Sequence, residues 1–296
     1  MNLNKLKGTG VALVTPFHKD GNIDFKCFKK LIERCIQGNV EYLVPLGTTG
    51  ESATLTENEK RAVIDFVIEI AEGKLPVVLG LGGNNTQEIL HYIEANDFVG
   101  IDAILSVSPY YNRPSQRGIY QHYKMIANAS PVPLILYNVP SRTGSNLDAD
   151  TTLELAHEVK NIVGIKEASG NTEKLMKIIK QKPKDFLVIS GDDVLTLPFL
   201  ACGADGVISV LSNAYPRDFS EMVRQGLSGN FDKAKKIHYK YLDVMHSIFI
   251  DGNPTGIKGL LSVMNICSEH VRLPLTHATK ASLNRIEAVM GSLVKS

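Results

Sequence analysis

The sequence predicts an α/β fold: a (β/α)8 TIM barrel with a C-terminal helical extension. Eight short, β-branched, apolar runs alternate with eight longer amphipathic patterns. Successive runs start roughly 20 to 35 residues apart, which is the spacing that a βα unit requires. The length of 296 residues leaves room for one barrel of about 250 residues and some additional chain. Eight alternating units favour a closed barrel over an open sheet.

Each apolar run is predicted to form a parallel strand. Several runs are apolar on both faces, as expected for strands covered by helices outside and by the packed barrel interior inside. Half-exposed antiparallel strands would alternate more regularly between apolar and polar residues. The predicted strands span residues 10–17, 42–47, 76–82, 103–109, 134–139, 162–168, 186–191 and 206–211.

The segments between the runs have the apolar period of amphipathic helices, and their starts carry capping signals. Thr56 and Glu59 have the spacing of a capping box, in which hydroxyl and carboxylate satisfy free amides of the first turn. The predicted helices span residues 24–37, 56–72, 86–96, 115–128, 148–160, 172–181, 193–202 and 216–227.

Strand patterns stop near residue 228, and the remaining chain has only helical patterns, over residues 231–249, 255–264 and 279–293. We therefore predict a catalytic barrel over residues 1–228 and a C-terminal helical domain over residues 229–296.

The charge balance argues against a nucleic-acid-binding protein. There are 32 Lys and Arg against 31 Asp and Glu, for a net charge of +1, whereas phosphate binding needs a positive surplus. No stretch approaches the ~18 apolar residues of a membrane span, and the apolar residues 11–14 are too few for a signal peptide. We expect a cytoplasmic protein that does not bind membranes.

The four cysteines predict free thiols. Cys27, Cys35, Cys202 and Cys267 contain no C-x-x-C pair, which suits a reducing compartment where thiols behave as small apolar groups. We therefore expect no disulfide. The histidines lack H-x-H and H-E-x-x-H spacing, and the P-loop, dinucleotide and G-x-S-x-G motifs are missing from the sequence. We expect no metal and no cofactor.

Lys166 is the strongest catalytic candidate. It lies in an otherwise apolar strand, near the carboxyl end where barrel enzymes place their catalytic groups. A buried ammonium is costly unless it is paired or deprotonated, and a neutral amine there would attack a carbonyl carbon to form a Schiff base. The alternatives are a lysine that extends to solvent or one that pairs with Glu167.

Tyr137 and Arg142 follow from the preceding strand. Tyr137 ends that strand and can face the same centre as Lys166, where a phenol can transfer protons during imine formation. Arg142 lies in the following loop, where a guanidinium can bind a substrate carboxylate through two parallel hydrogen bonds. Packing for the tyrosine and a solvated charge for the arginine remain open alternatives.

Two further strand ends carry unusual residues. Residues 47–51 read G-T-T-G-E, and their hydroxyls and free backbone amides suit a small carboxylate. A glycine-rich turn would explain the glycines but not the adjacent hydroxyls of Thr48 and Thr49. Tyr110 and Tyr111 follow the fourth strand, where the alternative is a loop-packing or interface cluster.

Together these motifs resemble the dihydrodipicolinate synthase family. G-T-T-G-E at residues 47–51, P-Y-Y-N at 109–112, Y-N-V-P-x-R-T-G at 137–144 and G-I-K-E-A-S-G at 164–170 occur in the family's order. The likeness spans nearly the whole chain. The first and last motifs are shared with the wider pyruvate-dependent aldolase superfamily, whereas Arg142 and the Tyr110–Tyr111 pair are more specific to the synthases.

The resemblance implies that Lys166 forms a Schiff base with pyruvate. The enamine would then condense with L-aspartate 4-semialdehyde to give 4-hydroxy-tetrahydrodipicolinate, which opens lysine and diaminopimelate synthesis. Thr48, Tyr111 and Tyr137 match the family's proton relay, with Tyr111 supplied by a neighbouring subunit of a homotetramer that is a dimer of dimers.

The resemblance also assigns substrate-binding positions. Thr49 matches the site of the pyruvate carboxylate, Arg142 matches the site of the semialdehyde carboxylate, and Gly191 and Ile208 line the pocket from strands seven and eight.

A second, regulatory site is implied at the tight-dimer interface of lysine-inhibited members. The positions that line it in those members correspond here to Ser52, Ala53, Asn84, Glu88 and Tyr110. Two further positions, often His in those members, are Glu57 and Lys60 here. An ammonium at Lys60 would repel the amino groups of bound lysine, because like charges about 4 Å apart cost several kcal/mol at intermediate dielectric. We expect weak or absent inhibition by lysine.

Two other functions compete with the synthase. A sister enzyme such as N-acetylneuraminate lyase would use the same lysine and tyrosine on a longer sugar acid, but Arg142 suits a short carboxylated aldehyde better. A non-catalytic barrel is also conceivable, because a fold alone does not prove activity. The complete set of Lys166, Tyr137 and Thr48 argues against a scaffold.

Overall fold

A computed structural model describes residues 3–293 of the chain. Its eight strands are β1 (Gly8–Ala12), β2 (Tyr42–Val44), β3 (Val78–Gly80), β4 (Ala103–Val107), β5 (Leu134–Asn138), β6 (Ile162–Glu167), β7 (Leu187–Ser190) and β8 (Gly206–Ser209). They are parallel and lie in the order β2-β1-β8-β7-β6-β5-β4-β3. A parallel bridge between Leu43 and Val77 brings the two ends together. The sheet therefore closes, and the predicted (β/α)8 barrel is confirmed.

Alternate strand residues fill the barrel interior. Ala12, Ile135, Tyr137 and Ile208 belong to one buried interior cluster, as expected from the two-residue period of a strand. Ile165, by contrast, packs with the outer core between strands and helices. Because successive side chains on a strand point to opposite faces, the next residue on β6, Lys166, is directed into the barrel.

Apart from the single-turn helix α5 (Pro140–Thr143), the helices lie where the apolar patterns predict them. They are α1 (Phe25–Gln37), α2 (Glu57–Ala71), α3 (Thr86–Ala95), α4 (Gln116–Ala129), α5 (Pro140–Thr143), α6 (Ala149–Glu158), α7 (Thr172–Gln181), α8 (Thr196–Ala201), α9 (Pro216–Leu227), α10 (Phe231–Ser247), α11 (Thr255–Val263) and α12 (Lys280–Leu293). The predicted capping box of α2 is confirmed, because Thr56 and Glu59 each accept a hydrogen bond from the other's backbone amide.

Most differences from the predicted elements fall at the carboxyl ends of the strands. The first predicted strand ended at residue 17, whereas β1 ends at Ala12, because the following residues form loops. The single-turn helix α5 and the 3₁₀ turn Thr48–Gly50 were not predicted. Helix α8 begins at Thr196, three residues after its predicted start at residue 193. The start is later because the Asp193 carboxylate accepts hydrogen bonds from the amides of Val210 and Leu211, which lie outside this helix.

The C-terminal helices pack on one side of the barrel. Residues of α10, α11 and α12 share a single apolar core with α9 and with Val14 and Val207 of the barrel. The predicted domain boundary at residue 228 falls between α9 and α10, and it stays a prediction. Residues 1–2 and 294–296, at the ends of the two predicted domains, lie outside the described residues. Within residues 3–293, none of the helices has the length and apolar character needed to cross a bilayer.

The expectation of four free thiols is wrong. A disulfide joins Cys27 on α1 to Cys267 beyond α11, with the two Cα atoms 6.0 Å apart. The partners are 240 residues apart in sequence, so only the packing of the C-terminal segment against α1 brings them together. Cys35 and Cys202 are free thiols.

Candidate active site

Lys166 and Tyr137 lie side by side inside the barrel. They are direct neighbours in the register of β5 and β6, and the Lys166 Nζ lies 4.4 Å from the centre of the Tyr137 ring. Both residues are buried, with exposed fractions of 6% and 7%. The two strands therefore bring an amine and a phenol together at the carboxyl end of the barrel, as the sequence predicts.

The alternative partner proposed for Lys166 has a different role. Glu167 faces the outer side of β6, where it forms an ion pair of 2.7 Å with Lys174. It also accepts hydrogen bonds from the Asn138 side chain and from the amide of Ser169. Lys166 neither pairs with Glu167 nor extends to solvent, so both alternatives are wrong.

Gly191 leaves space for the lysine side chain. A Cβ atom at this position would lie 2.6 Å from the Cβ of Ala168 and 3.1 Å from the Cε of Lys166. Real Cβ atoms essentially never approach other atoms as closely as the first of these distances. Ile208 is buried in the same interior cluster as Tyr137. The two predicted lining positions thus lie beside the predicted catalytic pair.

The residues after β2 form a tight turn at the same end of the barrel. Thr48–Gly50 is a 3₁₀ turn, with the Gly50 amide bonded to the Gly47 carbonyl at 3.0 Å. The Gly50 carbonyl accepts a hydrogen bond from the Thr15 hydroxyl at 2.7 Å. Thr49 is buried, whereas Thr48 is partly exposed. The turn that carries the two threonines is therefore fixed to the barrel.

Asn253, which is not among the predicted site residues, connects two predicted substrate-binding residues. Its side-chain amide donates to the Thr49 hydroxyl at 2.9 Å, and its backbone carbonyl accepts from the Arg142 guanidinium at 3.0 Å. Asn253 precedes α11 in the C-terminal region and is followed by a cis peptide bond to Pro254. No local signal marks it, because its partners lie far away in the sequence.

A buried ion pair fixes the turn to α11. Glu51 directly follows the turn, adopts a left-handed φ of 54° and binds Lys258, and both side chains are only 1% exposed. Burial lowers the pKa of Lys258 to about 8 although the nearby carboxylate acts in the opposite direction. Glu51 also accepts a hydrogen bond of 3.0 Å from the amide of Arg272.

Comparison with known proteins identifies the family. A model of the "Dihydrodipicolinate synthetase family" matches residues 5–292. The chain belongs to this family. It is 51% identical over 288 residues to a 4-hydroxy-tetrahydrodipicolinate synthase of Flavobacterium psychrophilum, covering 97% of this chain and 98% of that protein.

Solved structures agree with the assignment to the dihydrodipicolinate synthetase family. A dihydrodipicolinate synthase from Aquifex aeolicus is 41% identical with a TM-score of 0.93, and the match covers 97% of each chain. A chloride-inhibited synthase from Acinetobacter baumannii, described as complexed with pyruvate, is 38% identical with a TM-score of 0.94, and the match covers 97% of this chain and 99% of that one. The family and the lyase class predicted from the motifs are confirmed.

In this family member, one predicted relay residue is almost fully exposed. The Tyr111 side chain is 90% exposed, and its backbone has a left-handed φ of 71°. Such a conformation is unusual for a bulky residue and often marks a functional site. The described chain does not bring Tyr111 to Lys166, so its relay role stays a prediction that needs a second subunit.

The residues of the implied lysine site lie on three segments of the chain. Ser52 and Ala53 begin a second 3₁₀ turn, and Glu88 lies in the first turn of α3. The Asn112 side chain, next to the two tyrosines, donates to the Asn84 carbonyl at 3.1 Å. The set is completed by Tyr110, which is 40% exposed.

The residues that depart from the lysine-inhibited pattern bind each other. The Lys60 ammonium lies 2.7 Å from the Glu57 carboxylate, one turn apart on α2.

Among the residues that the structure describes, no group of three or more His, Cys, Asp or Glu side chains could hold a metal ion.

Proposed function

We propose that this chain is a 4-hydroxy-tetrahydrodipicolinate synthase that condenses pyruvate with L-aspartate 4-semialdehyde, in the synthesis of lysine and diaminopimelate. The observation that carries the proposal is the placement of Lys166 against Tyr137 inside the barrel, near a hydroxyl turn and an arginine that share one partner, Asn253. The barrel thus combines an amine that can attack the ketone of pyruvate with polar groups that can bind two substrate carboxylates.

The first step is imine formation. The neutral amine of Lys166 attacks C2 of pyruvate, and the former ketone oxygen leaves as water. This loss requires proton delivery to the oxygen, for which the Tyr137 phenol is suitably close to the amine. The hydroxyls and amides of the turn at Thr48 and Thr49 would bind the pyruvate carboxylate and orient C2.

The second step is carbon–carbon bond formation. Loss of a proton from C3 converts the imine to an enamine, whose C3 attacks the aldehyde carbon of the second substrate. Arg142 is exposed at the edge of the site, where its guanidinium can bind the semialdehyde carboxylate. The amino group of the semialdehyde then displaces Lys166 from the imine carbon, which closes the ring and frees the enzyme. Overall, one water is released.

The relay and the assembly are part of the same proposal. Tyr137, Thr48 and the neighbouring subunit's equivalent of Tyr111 would carry protons between the imine and solvent. The 90% exposure of Tyr111 supports a position at a subunit interface. We propose a homotetramer formed from two such dimers, acting in the cytoplasm without a cofactor or metal. Changing Tyr111 to Phe should slow turnover without unfolding the chain.

The direct test is turnover of pyruvate with L-aspartate 4-semialdehyde, run beside cleavage of N-acetylneuraminate. Synthase activity alone is the expected result. Lyase activity alone would reassign the substrate, and neither activity would favour a non-catalytic barrel. Reduction with borohydride in the presence of pyruvate should add a stable adduct at Lys166, and the Lys166→Ala variant should lose both adduct and turnover.

A further inference from the structure

We infer that Asn253 is a positioning residue that turns the Thr49 hydroxyl proton toward the carboxylate of pyruvate. This inference rests on the function proposed above. Asn253 lies outside the sequence motifs that identify the family, and it comes from the C-terminal region rather than from a barrel strand. Its role would be to determine whether Thr49 donates or accepts a hydrogen bond.

The direction of one hydrogen bond carries the argument. The Asn253 Nδ2 lies 2.9 Å from the Thr49 Oγ1, and an amide nitrogen can only donate. The hydroxyl oxygen therefore acts as the acceptor of this bond, and its own hydrogen must point elsewhere. A carboxylate can only accept hydrogen bonds when it is ionised. Asn253 thus leaves the Thr49 hydroxyl hydrogen free to be donated to a substrate carboxylate.

Asn253 also contacts the other predicted carboxylate-binding residue. Its backbone carbonyl accepts a hydrogen bond from the Arg142 Nη2 at 3.0 Å. One residue therefore touches both predicted carboxylate sites, the first through its side chain and the second through its main chain. This arrangement would hold the two sites at a constant separation, which suits a pair of short carboxylated substrates.

The surroundings of Asn253 make it rigid. The residue is buried, with an exposed fraction of 8%. Two residues later, α11 begins, and this helix is tied to the turn by the Glu51–Lys258 ion pair. Tight packing also fixes the start of α11, since a Cβ at Gly256 would clash with the Ile248 carbonyl oxygen. A buried side chain on such a support can hold a hydroxyl in one orientation.

Borohydride trapping with two substrates tests the role of Asn253. Asn253→Asp has nearly the same shape, but its carboxylate would accept the Thr49 proton instead of leaving it free. We expect the pyruvate concentration for half-maximal trapping at Lys166 to rise roughly 10- to 100-fold, which is the effect of losing a hydrogen bond to a charged group. Methyl pyruvate lacks the carboxylate, so its trapping should change less than about threefold.

Two further variants distinguish an effect on the orientation of the Thr49 hydroxyl from general damage to the fold. Asn213→Asp is the matched control, because Asn213 is a fully buried asparagine after β8 that bonds the backbone of Ala12 and Val14. It should leave the ratio between pyruvate and methyl pyruvate unchanged. Asn253→Ala should weaken pyruvate trapping in the normal background but have no further effect in Thr49→Val, because the partner hydroxyl is already gone.

The possible results are distinct. Equal losses for pyruvate and methyl pyruvate in Asn253→Asp would overturn the inference, and so would unchanged trapping of both. An Asn253→Ala effect that persists in Thr49→Val would also overturn it. If the unmodified protein gives no pyruvate adduct at Lys166, the proposed function itself fails and the inference fails with it.

Discussion

Glu51 and Lys258 form an ion pair from which water is almost completely excluded, with 1% of each side chain exposed. Glu51 follows the turn that carries Thr48 and Thr49, whereas Lys258 lies 207 residues further along the chain. The Lys258 ammonium also donates to the His270 carbonyl at 2.8 Å and lies 4.2 Å from the centre of the Phe17 ring. The pair thus joins the proposed carboxylate site to the C-terminal helices.

We predict that breaking this pair destabilises the protein strongly. Lys258→Met should lower the free energy of unfolding by about 3–5 kcal/mol, because it leaves the Glu51 carboxylate buried and uncompensated. Adding Glu51→Gln to Lys258→Met should recover part of this loss. Urea unfolding followed by circular dichroism measures both effects.

An exposed ion pair provides the control for this experiment. Lys235 lies 2.8 Å from Asp232 on α10, with 52% of the lysine side chain exposed. Lys235→Met should therefore change the free energy of unfolding by less than about 1 kcal/mol. A Lys258→Met variant as stable as Lys235→Met would show that the buried pair does not support the turn.

The parts that the sequence predicted are those determined by nearby residues. Lys166 and Tyr137 could be placed because strand periodicity sets their face and strand order makes β5 and β6 neighbours. Asn253 could not be placed from the sequence, because its contact with Thr49 spans 204 residues. The same reason applies to the disulfide, whose cysteines are 240 residues apart. Such contacts depend on how the C-terminal helices pack against the barrel, which no local pattern reveals.

A second prediction concerns the space beside the catalytic lysine. Gly191→Ala would place a methyl group against Ala168 and the Lys166 side chain. We expect kcat to fall at least tenfold and the free energy of unfolding to fall by about 1–3 kcal/mol, as is typical of overpacking. Steady-state kinetics and urea unfolding measure the two effects.

Gly291 supplies the comparison for Gly191. It lies on α12, and nothing would come within 4 Å of an added Cβ. Gly291→Ala should therefore keep full activity and gain up to about 1 kcal/mol from its higher helix propensity. Full activity in Gly191→Ala would mean that the lysine does not need this space.

A third prediction links acid stability to His122. Burial lowers the pKa of this imidazole to about 4 from 6.5. The unfolded chain therefore binds the proton first as the pH falls, so this contribution to stability is complete above about pH 6.5 and is lost toward pH 4. The expected loss is on the order of 3 kcal/mol.

His122→Asn tests this assignment. Asparagine can keep the contact of 2.8 Å that the His122 Nδ1 makes with the Thr86 hydroxyl, but it does not titrate. Its free energy of unfolding should fall less steeply between pH 6.5 and 4 than that of the unmodified protein. His157 is exposed, so His157→Asn should retain the original slope. Parallel slopes for His122→Asn and the unmodified protein would refute the assignment.

A fourth prediction follows from the disulfide. A bond between Cys27 and Cys267 closes a very long loop, and its reduction should lower the free energy of unfolding by about 2–4 kcal/mol. The Cys27→Ser/Cys267→Ser variant should have the lower stability with and without reductant. Without reductant, alkylation of the unfolded chain should modify only Cys35 and Cys202. Modification of all four cysteines under those conditions would show that the bond does not form.

The fifth prediction concerns regulation by L-lysine. The structure keeps the Lys60 ammonium beside the Glu57 carboxylate at 2.7 Å, so the pair cancels part of the repulsion expected from Lys60 alone. The Lys60 side chain nevertheless occupies a position that is often His in inhibited relatives, and bound L-lysine would have to compete with this side chain for Glu57.

We expect less than twofold inhibition at micromolar L-lysine in a steady-state assay. The Glu57→His/Lys60→His variant should gain sensitivity if these two residues are the cause, and strong inhibition of the unmodified protein would contradict the prediction.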